Sequence, residues 1–334
     1  MGLTTNALAS GGDAPDRIGG YRILDRIAEG GMGIVHRALE MATGRMAAIK
    51  TPRRAAPAAS AILRSEAETL KRLDHPGIVR LLADGVTDGI PWMAMELLEG
   101  RTLSDEIEAI WAPVGDRRAR TSSGWFTDET PTAPARAAMR RPLPSRRPGD
   151  AARGAAANRL GEIAAIVVQV ATILEHLHGR GLVHRDVKPA NVFLRGGAGH
   201  ERVSLLDFGL ACGTNTIPFG ESSSLCVGTM HYAAPEQIIG DPVDGRADIY
   251  ALGCVLYELV TVECPFDGAS NDELAQKHLH AEPRRPSLLV SGLPWPIEEL
   301  VMEMLAKDPA KRPASAADAG ARLARAVARA DVRR

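Results

Sequence analysis

Eight consecutive residues, His184-Arg185-Asp186-Val187-Lys188-Pro189-Ala190-Asn191, constrain this chain more than any other stretch. An acid that can accept a hydroxyl proton is followed by a lysine two residues later and by an amide three residues beyond that, and Asp207-Phe208-Gly209 downstream supplies a second carboxylate. A base, a cation and two oxygen ligands for a hard divalent ion make a set suited to phosphoryl transfer beside a metal. Either string alone arises by chance, so the reading depends on whether partner residues occur in the right order on the right elements. At 334 residues and 45% hydrophobic content, the chain is long enough for a substantial core and for two lobes.

Composition narrows the partners. Lys and Arg total 40 against 41 Asp and Glu, so no global field draws the chain to nucleic acid or to anionic lipid, and neither is expected as a partner. The four cysteines, Cys212, Cys226, Cys254 and Cys264, have neither CxxC nor Cys/His ligand spacing, which fits ordinary thiols in a reducing, cytoplasmic setting. Residues 1–20 lack both a basic start and an apolar segment and read as a flexible leader rather than a signal peptide. Gly2 is not supported as a myristoylation site, since Asn6 stands where Ser or Thr is required. The longest apolar run, Ile163 to Leu174, is broken by Gln169 and falls short of the ~20 residues that cross a bilayer, so no membrane span is expected.

Upstream of the central cluster, Tyr21 to Arg26 alternates as a strand does and runs into Ile27-Ala28-Glu29-Gly30-Gly31-Met32-Gly33-Ile34-Val35, the pattern of a hairpin with a glycine-rich tip. Such a tip lets backbone N–H groups approach a phosphate, although a plain hairpin reads the same way. Lys50 ends the apolar run Met46-Ala47-Ala48-Ile49, either as a snorkelling edge residue or as a phosphate ligand, and the glycine tip before it favours the ligand. Ile62, Glu66, Leu70 and Leu73 recur at helical spacing. A carboxylate on that apolar face needs a partner, and Glu68, two residues along, lies on nearly the opposite side.

Taken in order, these segments resemble the protein kinases, specifically the bacterial serine/threonine kinases of eukaryotic type. The resemblance covers residues 21 to about 327 and implies an α+β fold of two lobes: a mainly β N-lobe (21–96), a hinge (96–100) and a mainly α C-lobe (101–327). It implies ATP and Mg²⁺ as cofactors and protein substrates with Ser or Thr acceptors. Asp186 would take the hydroxyl proton, Lys188 would neutralise the γ-phosphate, and Asn191 and Asp207 would hold Mg²⁺. Glu66 would pair with Lys50; Val35 and Ala48 would roof the adenine over a floor of Phe193. Met95 would line the back of the pocket, and the backbone from Glu96 to Leu98 would read the adenine edge.

The same resemblance assigns supporting parts. Asp248 would hold the catalytic loop, Arg312 would pair with Glu236 of Ala234-Pro235-Glu236, and Thr229 would bridge Asp186 and Lys188. Phosphate on Thr216, Ser222, Ser223 or Ser224 would answer Arg185, and a transient homodimer would serve phosphorylation in trans. Two departures stand out. Ala28 occupies the place of the first glycine, and residues 112–158 turn to Pro, Ala, Arg, Ser and Thr without apolar periodicity, which reads as a disordered insertion. A scaffold that binds ATP without turnover is the alternative; it would need Lys50, Asp186 or Asp207 to be missing, and all three are present.

Overall fold

The strand expected from Tyr21 reaches the edge of the glycine tip at Gly30. In the computed structural model, which describes residues 16–30, 33–53, 57–111, 150–196, 201–214 and 230–332, strand β2 (Tyr21–Gly30) pairs antiparallel with β3 (Gly33–Glu40). With β1 (Arg17–Ile18), β4 (Met46–Thr51), β5 (Leu81–Thr87) and β6 (Ile90–Glu96) they form a six-stranded antiparallel sheet ordered β1-β2-β3-β4-β6-β5. Helix α1 (Pro57–Lys71) starts on a proline, whose missing N–H belongs to the unbonded first turn, and buries Leu63, Glu66, Ala67 and Leu70 along one face.

Residues 17–18, expected within a flexible leader, instead form a strand, and Ile18 is buried with Tyr21, Ala38, Ala47, Ile49, Trp92 and Ala94 in a small core on one face of the sheet. One apolar residue in a two-residue strand carries no period, so β1 left no pattern to read. Residues 1–15 lie outside the described residues.

Beyond β6 the chain enters a helical lobe through β7 (Gly100–Thr102) and α2 (Leu103–Trp111). Thr102 Oγ1 accepts from the Asp105 N–H at 3.1 Å while Asp105 accepts from the Thr102 N–H at 2.9 Å, a reciprocal cap that starts the helix. The long helix α3 runs Asp150–His178, ten residues ahead of the point where apolar periodicity begins at Leu160. The insertion expected to extend to residue 158 therefore yields to helix from Asp150 onward; Ala151, Ala152, Ala155, Ala156 and Ala157 favour helix by propensity even without an apolar stripe. Residues 112–149 lie outside the described residues.

Two short antiparallel ladders follow: β8 (Leu182–Val183) with β11 (Cys212–Gly213), and β9 (Val192–Arg195) between β7 and β10 (Arg202–Leu205). The helices α4 (Pro235–Ile239), α5 (Gly245–Thr261), α6 (Asn271–His280), α7 (Trp295–Met304) and α8 (Ala316–Val332) complete the lobe. Helix α5 is buried almost end to end, packed among α3, α7 and α8. Residues 159–178 of α3 are long and apolar enough to cross a membrane by composition, and half of that span is buried in the lobe, with Val170, Leu174 and Leu177 in its core. One continuous core joins the lobes, from Val35, Ala48, Leu70 and Met95 to Phe193, Leu205 and Phe208.

Candidate active site

Strand β4 ends by bringing Lys50 under the sheet, where only 5% of the residue is exposed. Its ammonium donates to Glu66 at 2.9 and 2.8 Å and to Asp207 at 3.1 Å. Glu66 comes from α1, one helical turn before Leu70, and also accepts from the Phe208 N–H at 3.3 Å. The pairing is enforced by burial, since an apolar cleft wall cannot hold an isolated charge of either sign. Burial works against the Lys50 ammonium, but Asp207 and Glu66 outweigh it and hold its pKa above the ordinary value. One cation facing two acids satisfies them unequally. Burial raises Asp207, yet Lys50 overrides that and holds it below the usual carboxylate range, whereas burial and the charge of Asp207 push Glu66 up to about 7 against Lys50.

The tip between β2 and β3 approaches this lysine through register, because Val35 pairs with Lys50 across the sheet and Ala48 with Met95. Gly33, at φ 142°, passes so close to β4 that a Cβ there would sit 2.3 Å from the Thr51 carbonyl oxygen. Only glycine allows that approach. Ile27, Ala28, Val35, Ala48, Met95, Leu98 and Phe193 are all buried within one cluster. Glu29 instead turns its carboxylate to Arg26 and Arg53. Gly31 and Met32 lie outside the described residues.

The central octapeptide forms a loop closed by a 3-10 turn over Pro189–Asn191. Asn191 Nδ2 donates to the Asp186 carbonyl and to its Oδ2, both at 2.8 Å, and the Lys188 ammonium lies 3.2 Å from the same carboxylate. Burial pushes the Asp186 carboxyl above its ordinary value, with Lys188 pulling the other way. The two acids thus diverge, Asp207 held below its ordinary value and Asp186 above it. Asp186 Oδ1 and Asn191 Oδ1 are buried without a hydrogen-bond partner. Buried oxygens in that state mark a place where a ligand completes the site. The described residues contain no group of three or more His, Cys, Asp or Glu side chains able to hold a metal. Two oxygen donors, Asn191 and Asp207, suit Mg²⁺, which keeps several waters and takes further oxygens from phosphates.

Two backbone outliers flank this chemistry. Arg185 (φ 67°) and Asp207 (φ 61°) occupy the left-handed region, at a cost on the order of 1–3 kcal/mol each. Asp248, fully buried at the start of α5, accepts from the His184 N–H at 2.9 Å and the Arg185 N–H at 2.8 Å, and so pins the first of them. His178 donates to Asp248 from Nε2 at 2.8 Å. Gln237 Nε2 adds a bond to the Arg185 carbonyl at 3.0 Å. His184 accepts from the Asp186 N–H through Nδ1 at 3.3 Å, so its proton is on Nε2, aimed at the Leu206 carbonyl at 3.2 Å; its ring meets Phe208 edge to face. Farther out, Arg312 forms a fork with Glu236 at 2.6 and 2.8 Å.

This arrangement joins a lysine and a glutamate from a β lobe to the acids of a helical lobe, and a comparison with known families decides its lineage. The protein kinase domain family matches residues 149–321. The chain belongs to the protein kinase family. A phosphotransferase enzyme family matches residues 42–214 as well, which runs from before β4 through the loop of Asp186 but leaves out the β2–β3 hairpin and the Glu236–Arg312 fork. A probable serine/threonine-protein kinase of Streptomyces coelicolor is 32% identical over 315 residues, covering 91% of this chain and 39% of that protein. Serine/threonine-protein kinase PknB of Mycobacterium tuberculosis is 30% identical over 315 residues, covering 91% and 42%. The chain thus spans about two fifths of the length of these relatives. The crystal structure of the Mycobacterium tuberculosis PknI kinase domain superposes with a TM-score of 0.62 at 25% identity over 97% of this chain and all of that one.

Within the kinase domain, the structure brings Lys50, Glu66 and Asp207 into contact and groups Asp186, Lys188 and Asn191 on the loop tied to Leu206, with Val35 of β3 paired beside Lys50. Glu96 differs from its neighbours: its carboxylate accepts from the Arg80 N–H at 3.1 Å on the far side of the hinge. Thr216, Ser222, Ser223, Ser224 and Thr229 lie outside the described residues. Two supporting residues, His178 and Gln237, have partners that the sequence did not indicate: Asp248 and the Arg185 carbonyl lie 70 and 52 residues away. The one local hint was that Gln237 directly follows Ala234-Pro235-Glu236.

Proposed function

We propose that this chain transfers the γ-phosphate of ATP to Ser or Thr hydroxyls of protein substrates, autophosphorylation included. Asp186 accepts the hydroxyl proton through Oδ1, the oxygen left without a partner, while Asn191 holds Oδ2 in place. Lys188 offers its charge to the transferred phosphoryl group, and Lys50, oriented by Glu66, offers its own to the phosphates behind it. Asn191 and Asp207 would hold Mg²⁺, which would supply positive charge against the charge developing on the phosphates. Ile27, Ala28, Val35, Ala48, Met95, Leu98 and Phe193 enclose the base, and Gly30 and Gly33 offer their backbone to the phosphates. Catalysis on this reading is chiefly positioning and charge neutralisation in a site assembled in advance. A cytoplasmic setting supplies the ATP.

The observation that carries the proposal is the pair of buried, unpartnered oxygens on Asp186 and Asn191, flanked by two lysines. The test is incubation with γ-labelled ATP and Mg²⁺, wild type beside Asp186→Asn, with phosphosites mapped. Label on Ser and Thr in the wild type, reduced about a hundred- to ten-thousand-fold in the variant, is expected for a lost general base. Nucleotide binding with equal, negligible label in both proteins would refute turnover.

A further inference from the structure

Arg195 closes β9, four residues after Asn191, and its guanidinium reaches out of the C-lobe. One end donates to the Pro76 carbonyl at 2.8 Å, and the other lies 3.9 Å from Glu96 Oε2, at the first residue of the hinge. Glu96 in turn accepts from the Arg80 N–H with its other carboxylate oxygen, and its own N–H donates to the Arg80 carbonyl at 2.9 Å. Residues 76–80 join α1 to β5 and so belong by sequence to the N-lobe, and while Arg80 bonds to Glu96, Gly77 and Ile78 make contact with the other lobe. The Leu205 N–H donates to the Gly77 carbonyl at 2.8 Å, Ile78 bridges Leu205 in parallel, and a Cβ at Gly77 would lie 2.5 Å from the Ile173 side chain on α3.

We infer that Arg195 is a positioning residue that latches the hinge and the 76–80 segment to the C-lobe, and thereby sets how readily the cleft opens to release nucleotide. The reason is mechanical. Gly77 and Ile78 are fixed to β10 and α3 by backbone bonding and close packing, so that part of the segment moves with the C-lobe. Opening must then be taken up between that segment and the hinge, across the Glu96 contacts. The Pro76 bond holds the guanidinium in position, and the longer 3.9 Å contact to Glu96 is the one that stretches. Arg195 and Glu96 side chains are only 24% and 27% exposed, which limits screening and keeps the attraction effective. Arg195 touches neither Asp186 nor Lys50, so it acts through the hinge rather than on the reacting atoms. Product release governed by lobe opening is a common limit on turnover in enzymes with closing clefts.

This inference rests on the nucleotide-binding reading above, and two measurements on the full chain separate their failures. The first is hydrogen exchange without nucleotide, comparing wild type, Arg195→Gln, Glu96→Gln and Arg195→Lys. Arg195→Gln is expected to speed exchange about tenfold at residues 76–80 and 96–100 while α5 stays protected, with Arg195→Lys in between. Uniform acceleration throughout, or no local change, would overturn the latch. The second is stopped-flow release of a fluorescent ADP analogue. The off-rate should rise about three- to tenfold in Arg195→Gln and Glu96→Gln, without further increase in the double variant, and should outrun any change in single-turnover autophosphorylation. Parallel loss of both rates would mean damage to the fold and overturn the proposal. Absence of any binding by the wild type would instead overturn the kinase reading, and the exchange data would still judge the latch.

Discussion

Asp248→Asn isolates the support of the catalytic loop, because the change is isosteric and leaves packing untouched. The native carboxylate serves three donors: His184 N–H, Arg185 N–H and His178 Nε2, at 2.9, 2.8 and 2.8 Å, in a fully buried site. An amide keeps one acceptor oxygen and turns a second donor toward the group it formerly satisfied. Whichever way it flips, at least one buried N–H is orphaned, at about 1–3 kcal/mol, and a charge-assisted bond to His178 is lost. Together these give a loss of about 2–5 kcal/mol in denaturant unfolding. Because Asp248 also holds Arg185 at positive φ, the loop can relax, and a displacement near 1 Å at Asp186 would lower kcat by about a hundredfold.

The deficit should depend on pH with a defined sign. His178 is opposed by burial but raised overall by Asp248, so its contribution is full below its ordinary 6.5 and is lost as pH rises through its folded value. Asp248 is likewise opposed by burial but lowered overall by His178, so its share is present above its ordinary 3.8 and is lost as pH falls through its folded value. The gap between wild type and variant is therefore widest between about pH 4 and 6.5. NMR titration should also show the His178 midpoint lower in the variant. Unfolding free energies within about 0.5 kcal/mol at pH 5.5, with kcat unchanged, would refute the reasoning.

Two further outcomes are expected. Arg312→Met strands the mostly buried Glu236 carboxylate and the carbonyls of Ala306, Arg246 and Lys307, which accept from Arg312 at 2.8, 2.9 and 3.1 Å; unfolding should lose about 3–5 kcal/mol, and adding Glu236→Leu should recover part of it, whereas additive losses in calorimetry would refute the pairing argument. His278 is held neutral, its pKa lowered to about 3 by burial and then by Lys307 and His231. The unfolded chain then binds the extra proton, so stability should fall by about 1.4 kcal/mol per pH unit below 6.5, and His278→Gln should flatten that slope in urea titrations at pH 7 and 5.

The parts of this fold carried by local pattern were legible. The strand period before the tip, Glu66 on an apolar helical face and the spacing of Asp186, Lys188 and Asn191 each lie within a few residues, where backbone geometry alone fixes what shares a face. What escaped depends on distant partners or on weak signals. His178 acquires its role only from Asp248 on another helix, and Arg195 only because Pro76 and Glu96 fold back to meet it. The start of α3 at Asp150 was hidden for a different reason: alanines favour helix by propensity without marking a face, and the surrounding Arg, Pro and Ser resembled an insertion. The two-residue strand at Ile18 was too short for any period to register.

Lys50 answers to two lobes at once, since Glu66 rides on α1 and Asp207 on the loop after β10. Drift of either body leaves an ammonium or a carboxylate alone in a dry place, and the molecule meets that misalignment as an immediate electrostatic cost. A single side chain therefore acts as a plumb line, reporting whether the two halves are true to one another before any substrate arrives.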